Sequence, residues 1–251
     1  MTKISTAMVF AAGLGTRMRP LTDTTPKPLL RVGGETMLDQ ALMRLAEYGV
    51  SRVIVNSHYL AEQIHLHITI MRPHYGFDIE ISHEQELLET GGGLRQARDM
   101  LGDAPIFVLN ADCIWRDHAL GLGNLARLAA TYAPEQMDGL LLVLRREQAT
   151  GYDGKGDFFA EFQPSRDKNE VSLIRRRGAA TEAPYVFSGI HILNPTLLDQ
   201  VKIAETKFSV NKLWDYALAR QRIYGLELTG KWFHVGTQGD LDFADRVLGN
   251  G

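Results

Sequence analysis

A short apolar run, Ala7-Met8-Val9-Phe10, breaks directly into Ala11-Ala12-Gly13-Leu14-Gly15-Thr16-Arg17. A continuous apolar segment closed by glycines predicts a buried strand feeding a tight loop. Gly13 and Gly15 permit positive φ and let backbone approach a ligand. Successive N–H groups in such a turn form a concave nest for phosphate oxygens. Arg17 offers a planar fork that grips a phosphate with two hydrogen bonds, and Lys27 is a point charge held between Pro26 and Pro28. A plain turn followed by a proline-rich loop with solvated cations would account for the glycines alone, but not for the whole stretch. Ala11, Ala12, Gly13, Gly15 and Thr16 are therefore expected to line a phosphate site, with Arg17 and Lys27 acting on the phosphate. The spacing excludes commoner phosphate loops: Thr16-Arg17 stands where a P-loop needs Lys-Ser/Thr, and Met18 where a dinucleotide fingerprint needs a third glycine.

Beyond the loop the chain alternates. Apolar residues at helical spacing over residues 36–48, 60–70, 94–101 and 125–132 are interleaved with strand-like runs at 52–56, 78–82, 105–110 and 139–144. This predicts an α/β fold with a doubly wound, mostly parallel sheet covered by helices on both faces. Residues 150–185 are polar and glycine-rich; 157–162 and 171–174 read as a small antiparallel subregion beside the main sheet. A strand at 185–193, a helix at 213–220, a strand at 223–228 and a helix at 241–248 follow. The 251 residues are expected to form one unit rather than two domains.

Composition excludes several function classes. The net charge of −3 argues against a general nucleic-acid binder, and Arg175-Arg176-Arg177 reads as a solvated strand end. No apolar run reaches the length of a membrane span, and no N-terminal signal pattern is seen, so a soluble cytoplasmic protein is expected. The lone Cys113 excludes an internal disulfide and a cysteine-built zinc site. His58, His65, His67, His74 and His83 show no zinc spacing and read as surface residues.

Ligands of open α/β sheets bind beyond the carboxyl ends of the strands. Asn110-Ala111-Asp112 lies there, so Asp112 would face the phosphates, and two like charges imply a divalent cation between them; helix capping is the alternative use of this aspartate. Glu89-Thr90-Gly91-Gly92-Gly93 follows the third strand, where glycines would let a base or ribose lie against backbone. Glu84 or Glu89 could accept the N3–H of uracil or the N1–H and amino group of guanine, but not the Watson–Crick edge of adenine at N1.

The stretch Gly13 to Leu29 resembles the signature of the sugar-1-phosphate nucleotidyltransferases, Gly-x-Gly-Thr-Arg-x-x-Pro-Leu-Thr followed by Pro-Lys-Pro-Leu, at every position. The likeness runs from Ala7 to about Leu248. It implies transfer of a nucleotidyl group from a nucleoside triphosphate to a sugar 1-phosphate, with Mg²⁺ (Mn²⁺ as a substitute) and no nucleic-acid or membrane partner. Residues 1–145 would bind the nucleotide and 146–251 the sugar; Asn110, Gly156, Asp157, Ser188 and Gly189 are the expected sugar contacts. Glu-Thr-Gly-Gly-Gly resembles the N-acetylmuramate 1-phosphate uridylyltransferases within the family, with mannose- or heptose-1-phosphate guanylyltransferases the alternative. Trp232-Phe233-His234-Val235-Gly236-Thr237 resembles the family's Trp-x-Asp-x-Gly-Thr, whose aspartate is a second metal ligand, and here His234 replaces it. His234 is expected to act from behind the metal-bound groups or as a weak ligand; a catalytically silent nucleotide-sugar sensor is the reading from another class. The sequence sets no oligomeric state.

Overall fold

The computed structural model of the chain describes residues 3–119, 121–163 and 169–249. In chain order, β1 (Thr6–Phe10) leads through three single 3₁₀ turns to β2 (Arg31–Val32), β3 (Glu35–Thr36) and α1 (Met37–Tyr48). Then come β4 (Arg52–Ser57), α2 (Ala61–Met71), β5 (Asp78–His83), α3 (Glu89–Gln96), α4 (Arg98–Leu101), β6 (Ile106–Asn110) and β7 (Cys113–Arg116). They are followed by α5 (Asn124–Thr131), β8 (Gly139–Arg145), β9 (Phe158–Ala160), β10 (Val171–Arg176) and β11 (Tyr185–Leu193). The chain closes with α6 (Leu197–Gln200), α7 (Asn211–Ala219), β12 (Ile223–Glu227), β13 (Lys231–His234) and α8 (Gln238–Leu248).

The main sheet has the order β5-β4-β1-β6-β11-β8-β12-β10-β9. Pairings from β5 through β6, and β8 with β12, are parallel. β11 runs antiparallel between β6 and β8, and β10 pairs antiparallel with β12 and β9. The antiparallel component is therefore not confined to the edge; β11 enters the middle of the sheet. Its strand-like composition carries no information on direction, which is why the sequence does not disclose this.

Alternate side chains leave the central strands on opposite faces. Ala7 and Val9 enter one core with Leu38, Leu42, Leu45, Ile64 and Leu128, while Met8 enters the other with Leu94, Leu101, Leu213 and Ala217. Strands covered on both faces become near-continuous apolar runs, as in β6 and β8. Helix ends follow local chemistry. The Thr36 hydroxyl accepts from Asp39 N at 3.0 Å to start α1, and Gly49 ends it at φ +90°. Thr237 and Asp240 close a capping box on α8.

The helix expected from Leu94 begins instead at Glu89 and swallows the glycine triplet. β7 and β13 pair as a small second sheet whose register sets His234 opposite Cys113. His65 and His67, expected at the surface, are half-buried: His65 Nε2 lies 2.8 Å from Ser57 Oγ and His67 Nε2 2.7 Å from the buried Asp39 carboxylate. Among the described residues no helix is long and apolar enough to cross a membrane.

Candidate active site

The parallel strands β1, β4 and β6 end on one edge, where a cavity of about 430 Å³ opens. Ala11, Ala12, Gly13, Lys27, Glu84, Glu89, Thr90, Asn110 and Asp112 all line it. Of the two loop glycines only Gly15 is left-handed, at φ +63°; a Cβ there would meet Thr22 Cγ2 at 2.9 Å and Lys27 Cβ at 3.0 Å. Gly15 thus gives Lys27 its room, while Gly13 faces open space and lies on the cavity. Thr16 and Arg17 are exposed in the next turn, with a guanidinium nitrogen of Arg17 3.2 Å from the Cβ position of Gly236.

The loop is pinned from below. Ala11 N donates to Asn56 Oδ1 at 2.7 Å, Asn56 Nδ2 donates to Glu84 Oε1 at 2.7 Å, and Leu88 N donates to Glu84 Oε2 at 3.0 Å. Glu84 is fully buried, and both its oxygens are engaged within the protein. That corrects the expectation that it reads a base edge: it holds the loop. Glu89 remains exposed on the cavity wall with φ +61°, an uncommon backbone for a non-glycine residue.

Gly91 and Gly92 correct a second expectation. Their N–H groups donate to Phe208 O at 2.9 and 3.0 Å. A Cβ on Gly91 would stand 2.4 Å from the Phe208 ring. Neither residue lines the cavity; the glycines let the 206–210 segment pack against α3 instead of seating a base.

Across the cavity, Lys27 Nζ donates to Asp112 Oδ2 at 2.7 Å. Burial raises the Asp112 pKa, but the ammonium of Lys27, with help from His234 and the Cys113 thiol, holds it below the usual carboxylate value. The ligand atoms of Asp112, Cys113 and His234 lie within 4.8 Å of one another. Asp112 caps no helix.

A second cavity of about 290 Å³ adjoins the first, sharing Phe10, Thr90, Asn110 and Ser209. Of the residues expected to meet a sugar, Asn110 and Asp157 line it, and Asp157 Oδ2 also accepts from Phe187 N at 2.9 Å. Gly156, Ser188 and Gly189 do not. Gly156 is buried against Ala183, whose carbonyl oxygen would lie 2.0 Å from a Cβ. Ser188 is fully buried. Gly189 sits at φ +84° in a bulge of β11, with Cys113 Sγ 2.5 Å from its Cβ position. In their place the cavity takes Arg176, Phe187, His191 and Trp214. Arg176, expected to be solvated, lies over Phe158 and Trp214 and pairs with Asp215 at 2.8 Å.

Residues 6–247 match the nucleotidyl transferase family. The chain belongs to it. It is similar to the N-acetylmuramate alpha-1-phosphate uridylyltransferase of Caulobacter vibrioides, with 39% identity over 92% of this chain and 91% of that one. The protein of the same description from Neisseria meningitidis serogroup B is 32% identical over 97% and 98%. The mannose-1-phosphate guanylyltransferase catalytic subunit beta of Drosophila melanogaster is 28% identical, and the match covers 60% of its length. A solved UDP-glucose pyrophosphorylase complexed with UDP-glucose superposes with a TM-score of 0.78 at 16% identity, covering 98% of both chains. That likeness carries the mixed α/β nucleotidyltransferase fold.

One residue of this nucleotidyl transferase that sequence reasoning passed over is His191. Both its ring nitrogens are buried without a hydrogen-bond partner, and burial pushes the imidazole down to about 3. A strand histidine gives no sequence signal of this kind. The folded pKa lies below the unfolded one, so the stability present above about pH 6.5 is lost as pH falls, by about 1.4 kcal/mol per pH unit between 6.5 and 3. Urea midpoints at pH 7.5 and 5.5 should drop in the wild type and drop less in His191→Leu; parallel slopes would exclude His191 as the cause.

Proposed function

We propose that this nucleotidyl transferase joins UTP to N-acetylmuramate 1-phosphate, forming the nucleotide sugar and releasing pyrophosphate. The observation that carries the reading is the meeting of two cavities at Thr90 and Asn110, with the Lys27–Asp112 pair on the wall of the first. Residues 1–145 supply nearly all of the nucleotide side and residues 146–251 most of the sugar side. The 39% identical relative supports the choice of substrates.

A sugar-phosphate oxygen attacks the α-phosphorus in line; its new P–O bond forms as the bond to the β-phosphate bridging oxygen breaks, and that oxygen leaves with pyrophosphate. A phosphate monoester is already largely ionised at neutral pH, so no base is required. Catalysis is positioning and neutralisation of charge. The Gly13 side of the loop presents N–H groups to phosphate. Arg17 grips the β- and γ-phosphates and the leaving pyrophosphate. Lys27 turns from Asp112 toward the two reacting phosphates and offsets their repulsion. Glu89, left exposed at the cavity, accepts the N3–H of uracil, and Asn110 and Asp157 meet the sugar. Asp112 offers the hard oxygen that Mg²⁺ favours, and Mg²⁺ often binds proteins through only one or two carboxylates; held there, the cation supplies further neutralisation of the α-phosphate. His234, a poor ligand for Mg²⁺, is left to hydrogen-bond a phosphate oxygen. A reaction drawing on a nucleoside triphosphate argues for the cytoplasm, and an N-acetylmuramate substrate for the reuse of cell-wall sugar.

The test is pyrophosphate release across a matrix of UTP, GTP and ATP against the 1-phosphates of N-acetylmuramate, mannose and heptose. UTP with N-acetylmuramate 1-phosphate should give the highest kcat/KM. ATP should be rejected by roughly 100-fold or more, because it leaves a carboxylate without its N–H partner. Comparable rates with ATP would remove readout by Glu89. A preference for GTP with mannose 1-phosphate would make the chain a guanylyltransferase, and silence with every pair would make it a sensor.

A further inference from the structure

The second cavity carries a cation that a neutral sugar does not require. Arg176 of β10 is half-buried on its wall. Its guanidinium carbon lies 5.2 Å from the Phe158 ring centroid and 5.6 Å from that of Trp214, and these ring faces steady the planar group. Arg176 Nε donates to Asp215 Oδ1 at 2.9 Å, and Asp215 does not line the cavity. Arg176 Nη2 donates to Asn211 Oδ1 at 2.9 Å. Among the described residues Nη1 has no partner, and the amide nitrogen of Asn211 has no acceptor. Ser209 and Asn211 belong to the same wall, where α7 begins without a side-chain cap. The N–H groups and dipole of a helix start favour an anion.

The cavity's own carboxylate does not answer this cation. Asp157 Oδ2 accepts from Phe187 N at 2.9 Å, and Oδ1 lies 3.4 Å from the Tyr152 hydroxyl. The ion pair of Arg176 is with Asp215. Nor does Arg176 line the first cavity, where Lys27 and Asp112 sit. Its charge is therefore offered to the part of the sugar remote from the 1-phosphate. A guanidinium fork fits a carboxylate, and charge-assisted hydrogen bonds are roughly twice as strong as neutral ones.

We infer that Arg176 is the residue that selects an acidic sugar: Nη1, joined by the Asn211 amide and the Ser209 hydroxyl, takes a carboxylate carried by the sugar away from its 1-phosphate. The inference rests on the sugar 1-phosphate reading proposed above and names what in that substrate is recognised. Asp215 holds the guanidinium in place from outside and leaves its cavity side free.

The probes are N-acetylmuramate 1-phosphate and its carboxamide, which differ in the charge of one group. With UTP, the wild type should use the acid with a kcat/KM about 10- to 100-fold above that of the amide. Most of the difference should lie in KM, because the group is away from the reacting atoms. Arg176→Gln should bring the acid-to-amide ratio close to 1, and Arg176→Lys should restore part of it. Asp215→Asn, a change at an exposed position outside the cavity, removes the competing anion and should raise the ratio. The same two sugar phosphates, titrated without nucleotide and followed by tryptophan fluorescence, should show tighter binding of the acid. Equal use or equal binding of acid and amide by the wild type would overturn the inference. So would an Arg176→Gln protein that loses acid and amide alike, as an arginine holding the phosphate or the fold would give. Silence of every pair in the pyrophosphate assay would end the transferase reading and leave the binding preference standing. Turnover of acid and amide at equal kcat/KM would keep the transferase and end this role of Arg176.

Discussion

Lys27→Ala should release pyrophosphate about 100- to 1000-fold more slowly than the wild type, because one preorganised charge contact in a transition state is worth about 2.7–4 kcal/mol. The position is unusually constrained for a lysine. Its side chain is only 12% exposed, Pro26 and Pro28 stiffen the backbone on either side, and Gly15 clears the space beside its Cβ. Nothing apolar depends on the ammonium, so the variant should keep its circular dichroism and a cooperative unfolding transition. The carboxyl of Asp112 would lose the charge that holds its pKa down and move upward. Turnover close to wild type from a folded Lys27→Ala protein would remove Lys27 from the reacting phosphates and leave it a partner of Asp112 alone.

Gly156→Ala should be strongly destabilising. Gly156 has φ +78°, and a Cβ would stand 2.0 Å from the Ala183 carbonyl oxygen. Left-handed strain in a non-glycine residue and forced overpacking together should cost about 2–6 kcal/mol. The neighbourhood cannot yield cheaply. Gly156 N donates to the Tyr152 hydroxyl at 3.1 Å, Gly156 O accepts from Arg177 Nε at 3.0 Å, and Ala183 N donates to Lys155 O at 2.8 Å. The urea midpoint should fall accordingly. Unchanged stability with a raised KM for the sugar 1-phosphate would instead restore Gly156 as a sugar contact.

What the sequence disclosed was local. The glycine loop, the caged Lys27 and the strand-end Asp112 declare themselves within a few residues, because turns and strand ends are written in glycine, proline and charge. The α/β alternation is legible for the same reason: strands buried on both faces must be continuously apolar. The misplaced residues were those whose partners lie far along the chain. Gly91 and Gly92 read as an open platform until Phe208 is seen lying on them. Ser188 and Gly189 read as sugar contacts until the bulge of β11 turns Gly189 toward Cys113. Cys113 read only as excluding a disulfide and a cysteine-built zinc site, since only the pairing of β7 with β13 sets an imidazole opposite it. Arg176 and His191 reach the second cavity through the ordering of β10 and β11, and no spacing rule encodes that ordering.

Thr90 belongs to the walls of both cavities, and its hydroxyl accepts from Val210 N at 2.9 Å. That stitch ties the residue beside Glu89 to the segment carrying Ser209 and Val210, so the two pockets share a wall that neither can reshape alone. In the function proposed above, a base that settles against Glu89 would also order the wall that the sugar meets, and by thermodynamic linkage the sugar would then tighten the base by the same factor.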